Sequence, residues 1–245
     1  MLIEDYKRIL TDLKATSFDL AEDKYSGIFL PVPFDEYWQS NVKIMLVGRE
    51  TAGWNTKNNK NSIARALGLV PGITVETVIE EAVARYRQHL DKKPNGTIKL
   101  KSRSRFKQYY FRLARELQIN PKAIVYANLF AWDYAKKTPL DRPATELTEV
   151  TSISLRLLAA QIRYLQPDFM IFAAGISRAD STIKKLFTEH LEGYQTSAPV
   201  ISGRLWEFKS NNTTCFRIAH PRAGHGHEEY RSKVIERIKH ALRQG

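Results

Sequence analysis

The chain has 245 residues, 43% of them hydrophobic, with 38 Lys and Arg against 26 Asp and Glu, a formal charge of +12 and a pI near 9.7. That length supplies one sizeable core, and the surplus of cations favours an anionic partner, nucleic acid first. The single cysteine, Cys215, excludes an internal disulfide and a cysteine-ligated metal cluster, and no apolar run approaches the roughly 18 residues of a membrane span. The opening run Met-Leu-Ile-Glu-Asp-Tyr-Lys-Arg lacks the basic-then-apolar order of a signal peptide, so a cytoplasmic protein with no membrane partner is expected.

Residues 2–15 carry Ile3, Tyr6, Ile9, Leu10 and Leu13 at helical spacing and predict a helix. Residues 25–38 are rich in aromatics and are expected to pack over a sheet, with a pocket lining as the alternative; Pro31 and Pro33 break the chain there. Val42 and Ile44–Val47 form a run too short for a helix and suited to a strand buried on both faces. It stops at Gly48, Glu50 follows two positions later, and Gly53 permits a sharp turn. Ligands of open α/β sheets sit beyond the carboxyl ends of the strands. Glu50 therefore stands where a working carboxylate would be; a turn with a solvated Glu is the alternative.

Residues 55–61, rich in Asn and Lys, read as a surface loop. Residues 62–67 predict a short helix closed by Gly68, and residues 74–90 a longer one with Val75, Val78, Ile79, Ala82, Val83, Tyr86 and Leu90 on one face. Residues 99–115 are the most basic stretch, with Lys101, Arg103 and Arg105 among seven cations. Helical spacing puts Phe106, Tyr109, Tyr110, Leu113 and Leu117 inward and the cations outward, as a solvated face or as phosphate contacts that release counterions.

Residues 123–127 predict a second buried strand ending at Asn128, and residues 145–165 a long amphipathic helix. Residues 169–174 read as a third strand with Gly175 behind it, then residues 177–191 as a helix. Residues 200–202 and 204–209 suit a hairpin or an edge strand. Residues 214–219 form the last strand, ending at His220-Pro221, and residues 228–242 a terminal helix. Strands alternating with helices imply a three-layer α/β/α fold with a mainly parallel, four-stranded central sheet. No repeat or linker is visible, so residues 1–245 are expected as a single domain, with residues 1–40 wrapped outside an α/β core.

Three strands end in a side chain with chemical reach. A carboxylate such as Glu50 acts as a base or steadies a cation. An amide such as Asn128 donates and accepts at once, as reading a base edge requires. A histidine such as His220 stabilises a developing oxyanion. Gly175 would let a ligand approach the backbone. His220, His225, His227 and Glu228 lie close in sequence but at no recognised metal spacing, so neither a metal nor a cofactor is expected. A Gly-x-Ser-x-Gly elbow and the Gly-Lys-Ser/Thr ending of a phosphate loop are both absent.

The order of these strand ends resembles the uracil-DNA glycosylase superfamily. Val47-Gly48-Arg49-Glu50-Thr51 is similar to its first motif, Tyr126-Ala127-Asn128-Leu129 to its second, residues 166–175 with Pro167 and Gly175 to its third, and Ile218-Ala219-His220-Pro221 to its fourth. The resemblance runs from Val42 to the C-terminus. It implies that Glu50 handles the catalytic water, that Asn128, with Gly48 and Gly175 beside the ligand, reads the base, and that His220 steadies the oxyanion. It implies a base-excising hydrolase acting on nucleic acid, DNA before RNA; the basic residues Lys101, Arg103, Arg105 and Arg222 are expected on the phosphate backbone. Thr51-Ala52 replaces the family's Pro-Tyr or Pro-Gly, and Arg222-Ala223-Gly224 stands where the family often has Ser and an apolar wedge that helps extrude the base. The alternative is a non-catalytic nucleic-acid or nucleotide binder of the same fold.

Overall fold

A computed structural model describes residues 1–55, 62–175, 177–224 and 226–244. The loop expected over residues 55–61 lies, beyond Asn55, outside the described residues, as does His225. The chain gathers into two compact units. The first comprises Met1–Val32, Arg49–His89 and Ala127–Tyr164; the second comprises Pro33–Gly48, Leu90–Tyr126 and Leu165–Gly245.

The second unit carries the sheet. Its strands are β1 (Ile44–Gly48), β2 (Ile124–Asn128, whose last two residues pass into the first unit), β3 (Phe169–Phe172), β4 (Gln195–Thr196), β5 (Leu205–Ser210) and β6 (Thr213–Ile218). The order is β2-β1-β3-β6-β5-β4. β3 pairs in parallel with β1 (Ile44↔Phe169) and with β6 (Phe169↔Thr214). β5 runs antiparallel to β6, and β4 antiparallel to β5. All four expected strands are present, but the sheet is six-stranded and mixed rather than four-stranded and mainly parallel. The cause is local. Ser210 pairs with Thr213, so Asn211-Asn212 is a two-residue hairpin loop, and Asn211 takes the φ of +49° that a tight turn of this kind demands.

Side chains alternate across this sheet as the pleat requires. Ile44, Leu46, Phe169, Ile171, Phe216 and Ile218 face a core shared with α5 (Arg105–Glu116) and α8 (His227–Gln244), through Tyr109, Leu113, Val234, Ile235 and Ile238. The opposite face meets α7 (Ser177–His190), where the Phe187 ring packs 6.0 Å from Phe172 and 5.1 Å from Phe208. Helices on both faces make the second unit three-layered on its own. Each such buried aromatic contributes about 1.5–3 kcal/mol of burial. On the α7 face β6 also buries Cys215, at 0% exposure, and Arg217, whose guanidinium reaches Asp180 of α7 at 2.6 and 2.9 Å.

α5 begins at Arg105 because the Ser104 side chain caps it, accepting from the Lys107 N–H. Lys99, Lys101 and Arg103 therefore precede the helix and do not extend its face.

The first unit is helical: α1 (Leu2–Leu10), α3 (Ile63–Ala66), α4 (Val75–Arg87) and α6 (Ala144–Leu165); a short helix in the second unit, α2 (Asp35–Gln39), completes the set. α1 stops five residues before its expected end. Tyr6 of α1 is fully buried and donates to the Pro31 carbonyl at 2.5 Å. One buried carboxylate ties distant segments together. Glu146, 3% exposed, accepts from both Nε and Nη2 of Arg142 at 2.8 and 3.0 Å, from the Tyr25 hydroxyl at 2.8 Å and from the Asp19 N–H at 3.3 Å. Among the described residues, no helix is long and apolar enough to cross a membrane.

Candidate functional site

In the first unit the chain leaves β1 at Arg49, whose carbonyl accepts the Phe130 N–H at 2.8 Å. The segments carrying Glu50 and Asn128 are thereby neighbours. The Glu50 side chain is 12% exposed, and its carboxylate takes a two-pronged grip from Arg49, Nε to Oε2 at 2.7 Å and Nη2 to Oε1 at 3.0 Å. The pairing neutralises the charge and fixes the carboxylate's plane.

Asn128 is 5% exposed, and among the described residues neither its amide oxygen nor its amide nitrogen has a hydrogen-bond partner. A buried amide left unsatisfied costs on the order of 1–3 kcal/mol, and this one can both donate and accept. Its place at the end of β2 follows from the apolar run before it.

The turn after Glu50 is organised by Asp133, which no pattern in the sequence singles out. Asp133 is 1% exposed and accepts from Thr51 Oγ1 at 2.6 Å, Gly53 N at 2.8 Å, Trp54 N at 3.3 Å and Lys136 N at 2.9 Å. The one signal it offers is that of a carboxylate directly following the apolar run Leu129–Trp132. Gly53 turns at φ +85°, as its position in the sequence suggests.

In the second unit His220 lies two residues beyond the end of β6. Its Nδ1 accepts the Arg222 N–H at 3.1 Å, which in the neutral ring leaves the proton on Nε2. The ring centroid is 6.3 Å from Phe106, which itself packs 4.7 Å from Tyr126. Gly175 turns at φ +96° with open space where a side chain would project, whereas Gly48 is buried within β1. Lys101, Arg103, Arg105 and Arg222 are all exposed. Arg105 and Arg222 line one cavity, together with Arg112, Arg231 and Glu228; Lys101 and Arg103 are not part of it. Among the described residues, no three His, Cys, Asp or Glu side chains converge on a point that could hold a metal ion.

No protein-family model matches the chain, and no curated protein is similar to it. The glycosylase-like reading accordingly stands on its four motifs and on the chemistry at these strand ends.

Proposed function

We propose that the protein is a divergent base-excising hydrolase of uracil-DNA glycosylase type, acting on nucleic acid, DNA before RNA. The observation that carries the reading is the buried amide of Asn128, without a hydrogen-bond partner among the described residues. A nucleobase edge presents a donor beside an acceptor, which is the complement of an amide.

In this mechanism Asn128 holds the flipped base. The resemblance gives His220 the part of donating from Nε2 to a base oxygen as the C1′–N bond breaks and its electron pair passes to the base. Glu50 steadies the cationic sugar and orients the water that adds to C1′, and the water's second proton leaves to solvent. The neutral His220 tautomer supports its part, because the oxyanion needs a donor at Nε2.

A second reading is a non-catalytic nucleic-acid or nucleotide binder of the same fold. The Arg49 grip on Glu50 favours it, since a carboxylate held by a guanidinium is a weaker base and a weaker partner for a sugar cation. Arg222-Ala223-Gly224, where the resemblance leads one to expect Ser and an apolar wedge, favours it too.

Base release from uracil-, hypoxanthine- and mismatch-containing DNA, single- and double-stranded, separates the two. Release is expected from the wild type. Asn128→Asp should change or abolish base preference, because an ionised Asp cannot donate. Glu50→Gln should lower turnover far more than binding. His220→Ala should cost on the order of 10²–10³ in rate. A wild-type protein that releases no base from any of these substrates ends the hydrolase reading and leaves the binder.

A further inference from the structure

The second unit holds a cavity of about 430 Å³ between α5, the Pro221–Gly224 turn and α8. Its size is in the range of ligand pockets, roughly 300–1,000 Å³. Four arginines line it against one carboxylate, Glu228.

The four divide into two kinds. Arg112 and Arg231 are fixed. The Arg231 side chain is 8% exposed and donates from Nη1 and Nη2 to the Ala223 carbonyl, both at 3.2 Å, and from Nε to Glu228 at 2.8 Å. Arg112 is held by Glu116, by Ser232 Oγ at 2.8 Å and by Glu228. Arg105 and Arg222 are exposed, and neither has a carboxylate partner among the described residues; Arg105 reaches only the Gln108 side chain, at 3.2 Å. The cavity thus joins two positioned guanidiniums to two uncommitted ones.

We propose that this cavity receives a phosphomonoester, the terminal phosphate of a nucleic-acid strand or of a free nucleotide. Guanidinium forks match phosphate oxygens in pairs. A monoester carries close to two negative charges at neutral pH, which suits the excess of cations here. It also has one covalent attachment, so it can enter a recess. A phosphodiester within a strand is tethered on both sides and lies along a surface. Glu228 holds Arg112 and Arg231 in place while the cavity is empty, and it competes with the incoming anion for them.

The proposal does not depend on base excision, because it is read by binding alone. Fluorescence anisotropy would compare one labelled oligonucleotide sequence ending in a hydroxyl, a 5′-phosphate or a 3′-phosphate, with adenosine and adenosine monophosphate as competitors. At least about tenfold tighter binding of a phosphate-ended ligand is expected, the size of one or two charge-assisted hydrogen bonds. Arg105→Ala with Arg222→Ala should remove the preference; both side chains are exposed, so the fold should survive, as circular dichroism would check. Glu228→Gln should increase the preference. Displacement by the monophosphate and not by adenosine assigns the cavity to free nucleotides; preference confined to the phosphorylated oligonucleotide assigns it to strand ends. Equal wild-type binding of all the ligands, or a preference untouched by the double substitution, overturns the proposal.

Discussion

Asp133 shows how much one side chain fixes in the first unit. Its four donors come from Thr51, Gly53, Trp54 and Lys136, so a single carboxylate sets the turn that begins one residue after Glu50. Asp133→Ala leaves those donors buried or half-buried without an acceptor. The expected cost is on the order of 3 kcal/mol, a fall in melting temperature of roughly 6–12 °C for a chain of this size. Differential scanning calorimetry checks this, and Asp133→Asn, which keeps one acceptor oxygen, should lose less. Glu50, Asn128 and His220 are legible in the sequence because each directly follows a short apolar run or lies just beyond one. Asp133 is not, because its donors are spread over more than eighty positions of sequence and only folding brings them together. The Arg49 grip on Glu50 is equally hidden: adjacent opposite charges in a sequence say nothing about whether they point at each other.

At the level of elements, α6 is anchored at its start by the Glu146 cluster. Burial alone would raise the Glu146 carboxyl, but the bonds from Arg142, Tyr25 and the Asp19 N–H outweigh it and hold the group below the usual glutamate range. A folded-state value below the unfolded one gives stability that is complete above the unfolded value of about 4.3 and is lost as pH falls through the folded value. Urea titrations from pH 7 to pH 3 should therefore show stability declining in the acid range, with part of that decline absent in Glu146→Gln. At neutral pH the same substitution leaves the Arg142 charge, 17% exposed, without its partner and should cost on the order of 3 kcal/mol. Short continuous apolar runs make the parallel strands readable, and period-3.6 patterns most of the helices. The β5–β6 pairing is harder. Asn211-Asn212 carries a hairpin signal, but it falls between the segments singled out as edge and strand, so only the register shows that β5 lengthens the sheet. α1 ends at Leu10 although Leu13 keeps the helical spacing: the Asp12 and Leu13 N–H groups donate three residues back, to Ile9 and Leu10, a tightened last turn that the apolar pattern does not reveal.

For the whole molecule the dominant quantity is charge. If phosphates are its partner, affinity should fall steeply with salt, with a log–log slope of about −0.9 for each neutralised phosphate of duplex and about −0.7 for single strands. Reversal of Lys101, Arg103 and Arg105 to Glu should weaken binding to all sequences alike and flatten that slope by about one for each phosphate no longer neutralised. Filter binding across a salt series measures both; no binding at low salt would assign the +12 charge another purpose. The division into two units has no counterpart in composition. Each is assembled from three separated stretches, and the chain passes between them at residues 32/33, 48/49, 89/90, 126/127 and 164/165 without a linker.

The thiol of Cys215 offers a different use of the same architecture. It is the chain's single sulfhydryl, it sits at 0% exposure in β6, and burial pushes its ionisation well up, away from the reactive thiolate. Its side chain lies on the α7 face of the sheet, so a reagent reaches the sulfur when the packing of α7 on that face opens or when the sheet itself comes apart. The molecule thus carries its own clock for opening: the rate at which a thiol-reactive dye labels the native protein reports how often the second unit opens. Measured against urea, the slope of that labelling distinguishes the two: a shallow slope reports α7 lifting from the sheet, a slope equal to that of full unfolding reports loss of the whole unit.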